Sequence, residues 1–431
     1  MEEKRIIDFI EKERNAQNIP GMAAAVFKNG ELFEEGSGVI EIGKDAPVRP
    51  ETVFGTASLT KTFTALAIMI LQAEGELSVH DPVVRHLPEL EQVAAIRDSE
   101  IRHLLSHTTG LPPLERRESI VGFEAHVDYL QSAVFEPLGR PGERLSYSND
   151  AFLLLGAIIG QVSGTDYRSF ITERIIRPAG MTRTSFDPPP QGTQENVAVQ
   201  YAETGGELRP VEWPSLGNYA VGGGIRSTVR DLMKYARLYI DNDYRERVLK
   251  VRLDVSEMWS DVQRAGRFSS YGYGLTVSRD FHGLLFVHHG GSQPGVSSAI
   301  GFIPEKRMAA VVLTNRSEAR ADRILHGILN IGLGRDPEDE PFREPEYDMA
   351  EDEFGRFNGV YVNDEDPEGF EIRLDGGRPV MSAGGKTDGL RASGPSTLVN
   401  ERTGKPVEFT FGEDGKPASA FTGLRIFRRK G

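Results

Sequence analysis

The 431-residue sequence contains no cysteine. That excludes disulfides, a thiolate nucleophile and cysteine-ligated metals. It has no long apolar run either. The longest near-continuous one, residues 151–160, is about half of the roughly 20 residues a membrane-spanning helix needs. Basic residues are in deficit: 50 Lys and Arg stand against 64 Asp and Glu, for a formal charge of −14. A phosphate backbone recruits Lys and Arg, so neither a nucleic acid nor an anionic membrane is expected as a partner. The histidines form no His-Glu-x-x-His, and the close pairs His103/His107 and His288/His289 lack a ligand pattern, so no metal or cofactor is expected. The N-terminus, Met-Glu-Glu-Lys-Arg, leads into an amphipathic pattern and not into an apolar segment. No secretory signal is read from it, and a cytoplasmic location is the expectation.

What is present is globular composition, 39% apolar and 26% charged. At roughly 150 residues per domain, the length predicts two or three domains. Residues 6–14 carry apolar side chains at helical spacing. Residues 21–28 and 31–39 flank Asn29-Gly30, a dipeptide that tolerates positive φ, and predict a hairpin. Helical signals dominate from 53 to 240. The run 62–71 is apolar nearly all round and predicts a buried helix, and 151–162 repeats that signature. Gly222-Gly223-Gly224 precedes a helical pattern over 227–240, with Ser227 or Thr228 as its N-cap. Strand signals return at 284–289, 296–303 and 308–314, and a helix over 322–333 closes the domain. Residues 335–353 hold ten acidic residues, two arginines and three prolines, and read as a linker. Strand-like runs at 357–362, 370–374, 407–411 and 420–427 then predict a small all-β module. The expected division is 1–334, 335–353 and 354–431. Strands from both ends of the large domain predict one antiparallel sheet, and the helices between them a second lobe. Sites favour the cleft between such lobes.

Three stretches carry residues suited to chemistry. Ser58-Leu59-Thr60-Lys61 opens the first buried helix, and a spacing of three places Ser58 and Lys61 on one face. A serine hydroxyl is a weak nucleophile until a base takes its proton. Lys61 can be that base if burial or a neighbouring cation lowers its pKa. In isolation the tetrapeptide reads first as an N-cap serine and a surface lysine. Tyr147-Ser148-Asn149 lies just before the second apolar helix. Tyr147 can relay a proton and Asn149 can hold a substrate carbonyl; alone, they read as a turn tyrosine and an N-cap. A second Tyr-x-Asn, Tyr361-Val362-Asn363, sits in the β module and reads as coincidence. His289-Gly290-Gly291-Ser292 ends a strand in a Gly-rich stretch, where backbone can approach a substrate and the Ser292 amide can join that of Ser58 around an oxyanion. His288 points to the opposite face of the strand.

Ser58-x-x-Lys61, Tyr147-x-Asn149 and His289-x-Gly291 together resemble the signature motifs of penicillin-recognising serine hydrolases, in the branch related to class C β-lactamases, esterases and D-aminopeptidases. The stretches 54–61, 102–112, 141–149 and 289–295 fit the same resemblance, which covers about 5–333. It implies a β-lactamase/transpeptidase-like fold, an α/β lobe and a helical lobe with helices on both faces of an antiparallel sheet. It also implies an acyl-enzyme on Ser58 and a lipocalin-like C-terminal domain. Tyr-Ser-Asn and His-Gly-Gly stand where related enzymes have Ser-Asp-Asn and Lys-Thr-Gly. A lysine there would be a fixed cation for a substrate carboxylate, and His289 is largely neutral at pH 7. The expected substrate is therefore a small molecule or short peptide, foremost a short or D-residue-containing one. Carboxylesterase and β-lactamase are the alternatives. A non-catalytic scaffold or ligand sensor is the rival of another class, and it predicts loss of Ser58, Lys61 or Tyr147. Self-association to a homo-oligomer is left open.

Overall fold

The computed structural model describes residues 2–186, 196–261 and 263–431. The chain starts with helix α1 (Glu3–Ala16) and the hairpin β1 (Gly21–Lys28) and β2 (Glu31–Gly38). Asn29 and Gly30 both take positive φ, 51° and 96°, as the tight turn requires. The chain then leaves the sheet to build the helical lobe around α2 (Thr60–Ala73), α3 (Asn149–Ser163) and α4 (Val229–Ile240). It returns as β3 (Thr276–Phe281), β4 (Leu284–Gln293), β5 (Val296–Ile303), β6 (Met308–Thr314) and helix α5 (Ala321–Gly332). The antiparallel sheet runs β2-β1-β6-β5-β4-β3 and ends in two short strands, Ser270–Tyr271 and Gln263–Arg264. Strands from both ends of residues 1–334 thus pair within one sheet, at β1–β6.

Alternation along β1 sorts its side chains by face. Ala23, Ala25 and Phe27 join the core shared with the helical lobe, while Met22, Ala24 and Val26 pack against α1 and α5. Strands β5 and β6 are buried along their whole length because helices cover both faces, which explains their unbroken apolar runs. No helix among the described residues is long and apolar enough to cross a membrane.

Two carboxylates of the acidic segment after α5 are tied to other parts of the fold. Glu338 pairs with Lys12 at 2.6 Å and with Arg323, and Glu344 is buried between Arg267 (3.0 Å) and the Ser393 hydroxyl (2.8 Å). Beyond it, eight strands form a closed antiparallel barrel: β7 (Gly359–Val362), β8 (Phe370–Asp375), β9 (Arg378–Ala383), β10 (Lys386–Gly394), β11 (Thr397–Asn400), β12 (Pro406–Phe411), β13 (Pro417–Thr422) and β14 (Arg425–Arg429). Pairing of Tyr361 with Arg429 closes it. The expected single run over 420–427 is two strands, because Gly423 and Leu424 take positive φ (56° and 65°) and turn the chain. Tyr361 lies in the barrel core, its hydroxyl donating to the Phe357 carbonyl at 2.7 Å.

Candidate active site

Ser58 sits in a single 3-10 turn, Ala57–Leu59, that feeds directly into α2. Ala57 before it is held at φ +47°, a left-handed conformation costly for a residue with a side chain. The turn is pinned from three sides. The Thr56 amide and hydroxyl both donate to the Ile225 carbonyl (3.1 and 2.7 Å), the Thr60 hydroxyl donates to the Ala57 carbonyl (2.8 Å), and the Ser298 hydroxyl donates to the Thr56 carbonyl (2.8 Å).

Lys61 is 1% exposed in the first turn of α2. Its Nζ lies 2.9 Å from Asn149 Oδ1, 3.0 Å from the Gly222 carbonyl and 3.4 Å from Ser58 Oγ. Burial pushes its pKa well below the ordinary lysine value, and the guanidiniums of Arg116 and Arg425 push the same way; Glu365 and Asp150 oppose them. A neutral amine has two N–H groups and one lone pair. With both held by the carbonyl oxygens of Asn149 and Gly222, such an amine would present its lone pair to Ser58 Oγ. Gly222 is required by this packing, since a Cβ there would lie 2.7 Å from Nζ. The Gly222-Gly223-Gly224 run marked the place in the sequence without showing its role.

Tyr147 is 5% exposed and shares a hydrogen bond with Ser58. Burial raises its pKa, and the Ser58 hydrogen bond and Arg425 pull it back. Lys61 Nζ stands 4.9 Å from the ring centroid and the Arg425 guanidinium 4.8 Å. His107 packs tilted against the same ring, centroids 4.1 Å apart, and its Nδ1 accepts the Ser148 amide at 3.1 Å. Ser148, not Asn149, caps α3, its hydroxyl accepting from the Ala151 amide. Asn149 is therefore free to turn its amide into the site.

His289 faces the site and His288 the opposite side of the sheet, where it stacks on Phe286. His289 Nε2 lies 2.9 Å from the Tyr271 hydroxyl. Burial, aided by Lys61, pushes its pKa down to about 4, so it is neutral at pH 7. The strand does not end at His289. It continues through Gly290, Gly291 and Ser292 to Gln293, paired with β5. A Cβ on Gly291 would lie 2.3 Å from the Thr56 carbonyl, so this stretch of β4 passes directly against the turn that carries Ser58.

Sequence reasoning missed two residues, both from the barrel. Glu365, in the loop between β7 and β8, accepts a hydrogen bond from Asn149 Nδ2 at 2.8 Å. Arg425, at the start of β14, pairs with Glu365 (Nε to Oε2, 2.7 Å) and lies over Tyr147. Phe421 and Leu424 pack on Leu145, Tyr147, Ala265 and Tyr271. The Tyr147 amide donates to the Leu424 carbonyl, 2.8 Å. Nothing in the local sequence connects these residues with Ser58, more than 300 positions away.

A family model described as Beta-lactamase matches residues 6–331. The chain belongs to the beta-lactamase family. Members of this family are serine hydrolases. Among curated relatives, Protein flp of Staphylococcus aureus is 28% identical over 326 residues, 73% of this chain and 63% of the relative. The match thus spans less than two thirds of that relative's length. A Beta-lactamase of Escherichia coli is 25% identical over 336 residues, covering 72% of this chain and 87% of that protein. Among solved structures, the octameric penicillin-binding protein homologue from Pyrococcus abyssi is 27% identical with a TM-score of 0.74, covering 99% of this chain and 100% of its own. SurE shares the fold at 23% identity and a TM-score of 0.76, covering 99% of both chains. Both likenesses take in the barrel as well as the large domain.

Proposed function

We propose that this protein is an acyl-transfer hydrolase that forms an acyl-enzyme on Ser58. The observation that carries this is the environment of Lys61: a buried amine within hydrogen-bond reach of Asn149 Oδ1, the Gly222 carbonyl and Ser58 Oγ, its pKa pushed well below the ordinary lysine value by burial. Lys61 takes the Ser58 proton as the hydroxyl oxygen bonds to the substrate carbonyl carbon. Tyr147, neutral at rest, carries the proton on to the leaving group. Amides of Ser58 and Ser292 hold the carbonyl oxygen as it gains charge, with Gly290 and Gly291 letting β4 come close enough. Hydrolysis of the ester by water restores Ser58.

Short peptides with a free N-terminus, including D-residue peptides, are the substrate class favoured. His289 is neutral and supplies no fixed cation for a carboxylate. Glu365 sets a carboxylate on Asn149, in reach of a peptide's ammonium group. Arg425 favours a second reading, in which its guanidinium holds a substrate carboxylate, as in a β-lactam. The likeness to an octameric homologue supports self-association of this chain.

A fluorophosphonate probe should label Ser58 alone, and Ser58→Ala should abolish labelling and lower turnover by several orders of magnitude. Labelling that survives in Ser58→Ala would overturn the assignment. L- and D-amino-acid p-nitroanilides, p-nitrophenyl esters and nitrocefin, assayed side by side, separate the substrate readings.

A further inference from the structure

We propose that Glu365 and Arg425 are positioning residues: an ion pair delivered by the barrel that sets the pH range over which Ser58 is activated. The barrel is then a working part of the active site and not only its neighbour. The inference rests on the reading above in which Lys61 is the base.

Two contacts carry it. Glu365 Oε1 accepts from Asn149 Nδ2, and Asn149 Oδ1 in turn accepts from Lys61 Nζ, so a continuous hydrogen-bonded path runs from the barrel carboxylate to the base. Arg425 sits 4.8 Å from the centroid of the Tyr147 ring, whose hydroxyl shares a hydrogen bond with Ser58. Both barrel residues are largely covered, with side-chain exposures of 27% for Arg425 and 15% for Glu365, so water screens them weakly. The pair is held in place by the fold. Ile426 next to Arg425 donates its amide to the Ser146 hydroxyl at 3.3 Å, and the Glu365 amide donates to the Pro113 carbonyl at 3.2 Å.

The groups facing Lys61 come from several elements. Arg116 and Arg425 bring positive charge, Glu365 and Asp150 negative charge. His107 and His289 are kept neutral by burial. Tyr147 stays a phenol because burial raises its pKa. Arg425 disfavours the protonated base and Glu365 favours it, with Arg425 the stronger influence. Removing one or the other must therefore move the base in opposite directions, which a purely structural role for either residue does not predict.

The test uses the full-length chain and p-nitrophenyl acetate, a neutral ester without the ammonium or carboxylate that Glu365 or Arg425 would hold. The acid limb of kcat/KM against pH reads the base in the free enzyme. In Arg425→Gln the limb should shift to higher pH. In Glu365→Gln, which keeps an acceptor for Asn149, it should shift to lower pH. Arg425→Lys should stay near the parent, and this conservative variant separates loss of charge from loss of fold. NMR titration of ε-13C-labelled Lys61, assigned by its absence in Lys61→Met, reads the same displacements without turnover. Lys61 midpoints that do not move, or that move the same way in both Gln variants, overturn the inference. Midpoints that move oppositely while the rate profile stays fixed overturn Lys61 as the base, and with it the role of the pair.

Discussion

Burial is the largest cause of the pKa shifts of Lys61, His107, His289 and Tyr147. Lack of water disfavours the charged form of Lys61, His107 and His289, and it raises the pKa of the Tyr147 phenol for the same reason. For His289 this has a measurable consequence for stability. In the unfolded chain its pKa is about 6.5, and in the folded chain about 4. Above the unfolded value both states are neutral and the group contributes nothing. As pH falls below that value the unfolded state takes up a proton that the folded state refuses, so stability is lost between about 6.5 and about 4. At pH 5 the loss from this one group is about 2 kcal/mol. His289→Asn cannot titrate. Denaturant unfolding at pH 8 and pH 5 should show a smaller loss on acidification in the variant, by about that amount. An equal loss in both proteins would place the acid sensitivity elsewhere.

At the scale of elements, the site is assembled from the ends of secondary structures and from glycines that let them touch. The 3-10 turn before α2 provides Ser58, the first turns of α2 and α3 provide Lys61 and Asn149, and the short helix Ala220–Gly223 provides the carbonyl that holds Lys61. Gly222→Ala tests this assembly. The added methyl would meet Nζ at 2.7 Å. The amine must move, and a displacement of about 1 Å from the reacting geometry costs on the order of 100-fold in kcat. The expected variant is folded, with an unchanged melting temperature to within a few degrees, and is slow in both labelling and turnover. Full activity would mean that Lys61 is not held by this carbonyl. This assembly also marks the limit of what the sequence made legible. Ser58, Lys61, Tyr147 and Asn149 could be found because each lies beside a long apolar helix whose start is written in local pattern. The hairpin at Asn29-Gly30 and the buried strands β5 and β6 were legible for the same reason. The barrel strands β9 to β11 were not, because short half-exposed strands alternate too weakly to register. Glu365 and Arg425 lie in or beside turns, where local sequence reports the turn and nothing about what it faces.

For the whole molecule, the proposed division into 1–334, 335–353 and 354–431 turns on what the barrel does. Its attachments are of two kinds. Ion pairs such as Arg264–Glu408 (2.8 Å) and Arg428–Glu136 (2.9 Å) are exposed on one or both sides and contribute little each. The apolar contact of Phe421 and Leu424 on Tyr147 and Tyr271 is at the site itself, and the 363–368 loop brings Glu365 onto Asn149. A barrel that only stabilised its neighbour would have no reason to place an ion pair against Asn149 and the Tyr147 ring. On the gating reading, deleting the chain after Glu353 leaves Ser58 reactive to a small acylating probe and widens the cleft. The ratio of turnover on a bulky acyl ester to that on an acetate ester should then rise, on the order of tenfold or more for each 1.4 kcal/mol of exclusion relieved. Deletion also uncovers Tyr147 and Tyr271, so the truncated protein can lose solubility. A second variant, with 363–368 shortened to a two-residue turn in the full-length chain, keeps the barrel in place and opens only the loop. Native mass spectrometry of each variant reports whether the barrel carries subunit contacts. An unchanged ester ratio in the loop variant, with an unchanged mass in the truncated one, would leave the barrel as an appendage with no part in substrate choice.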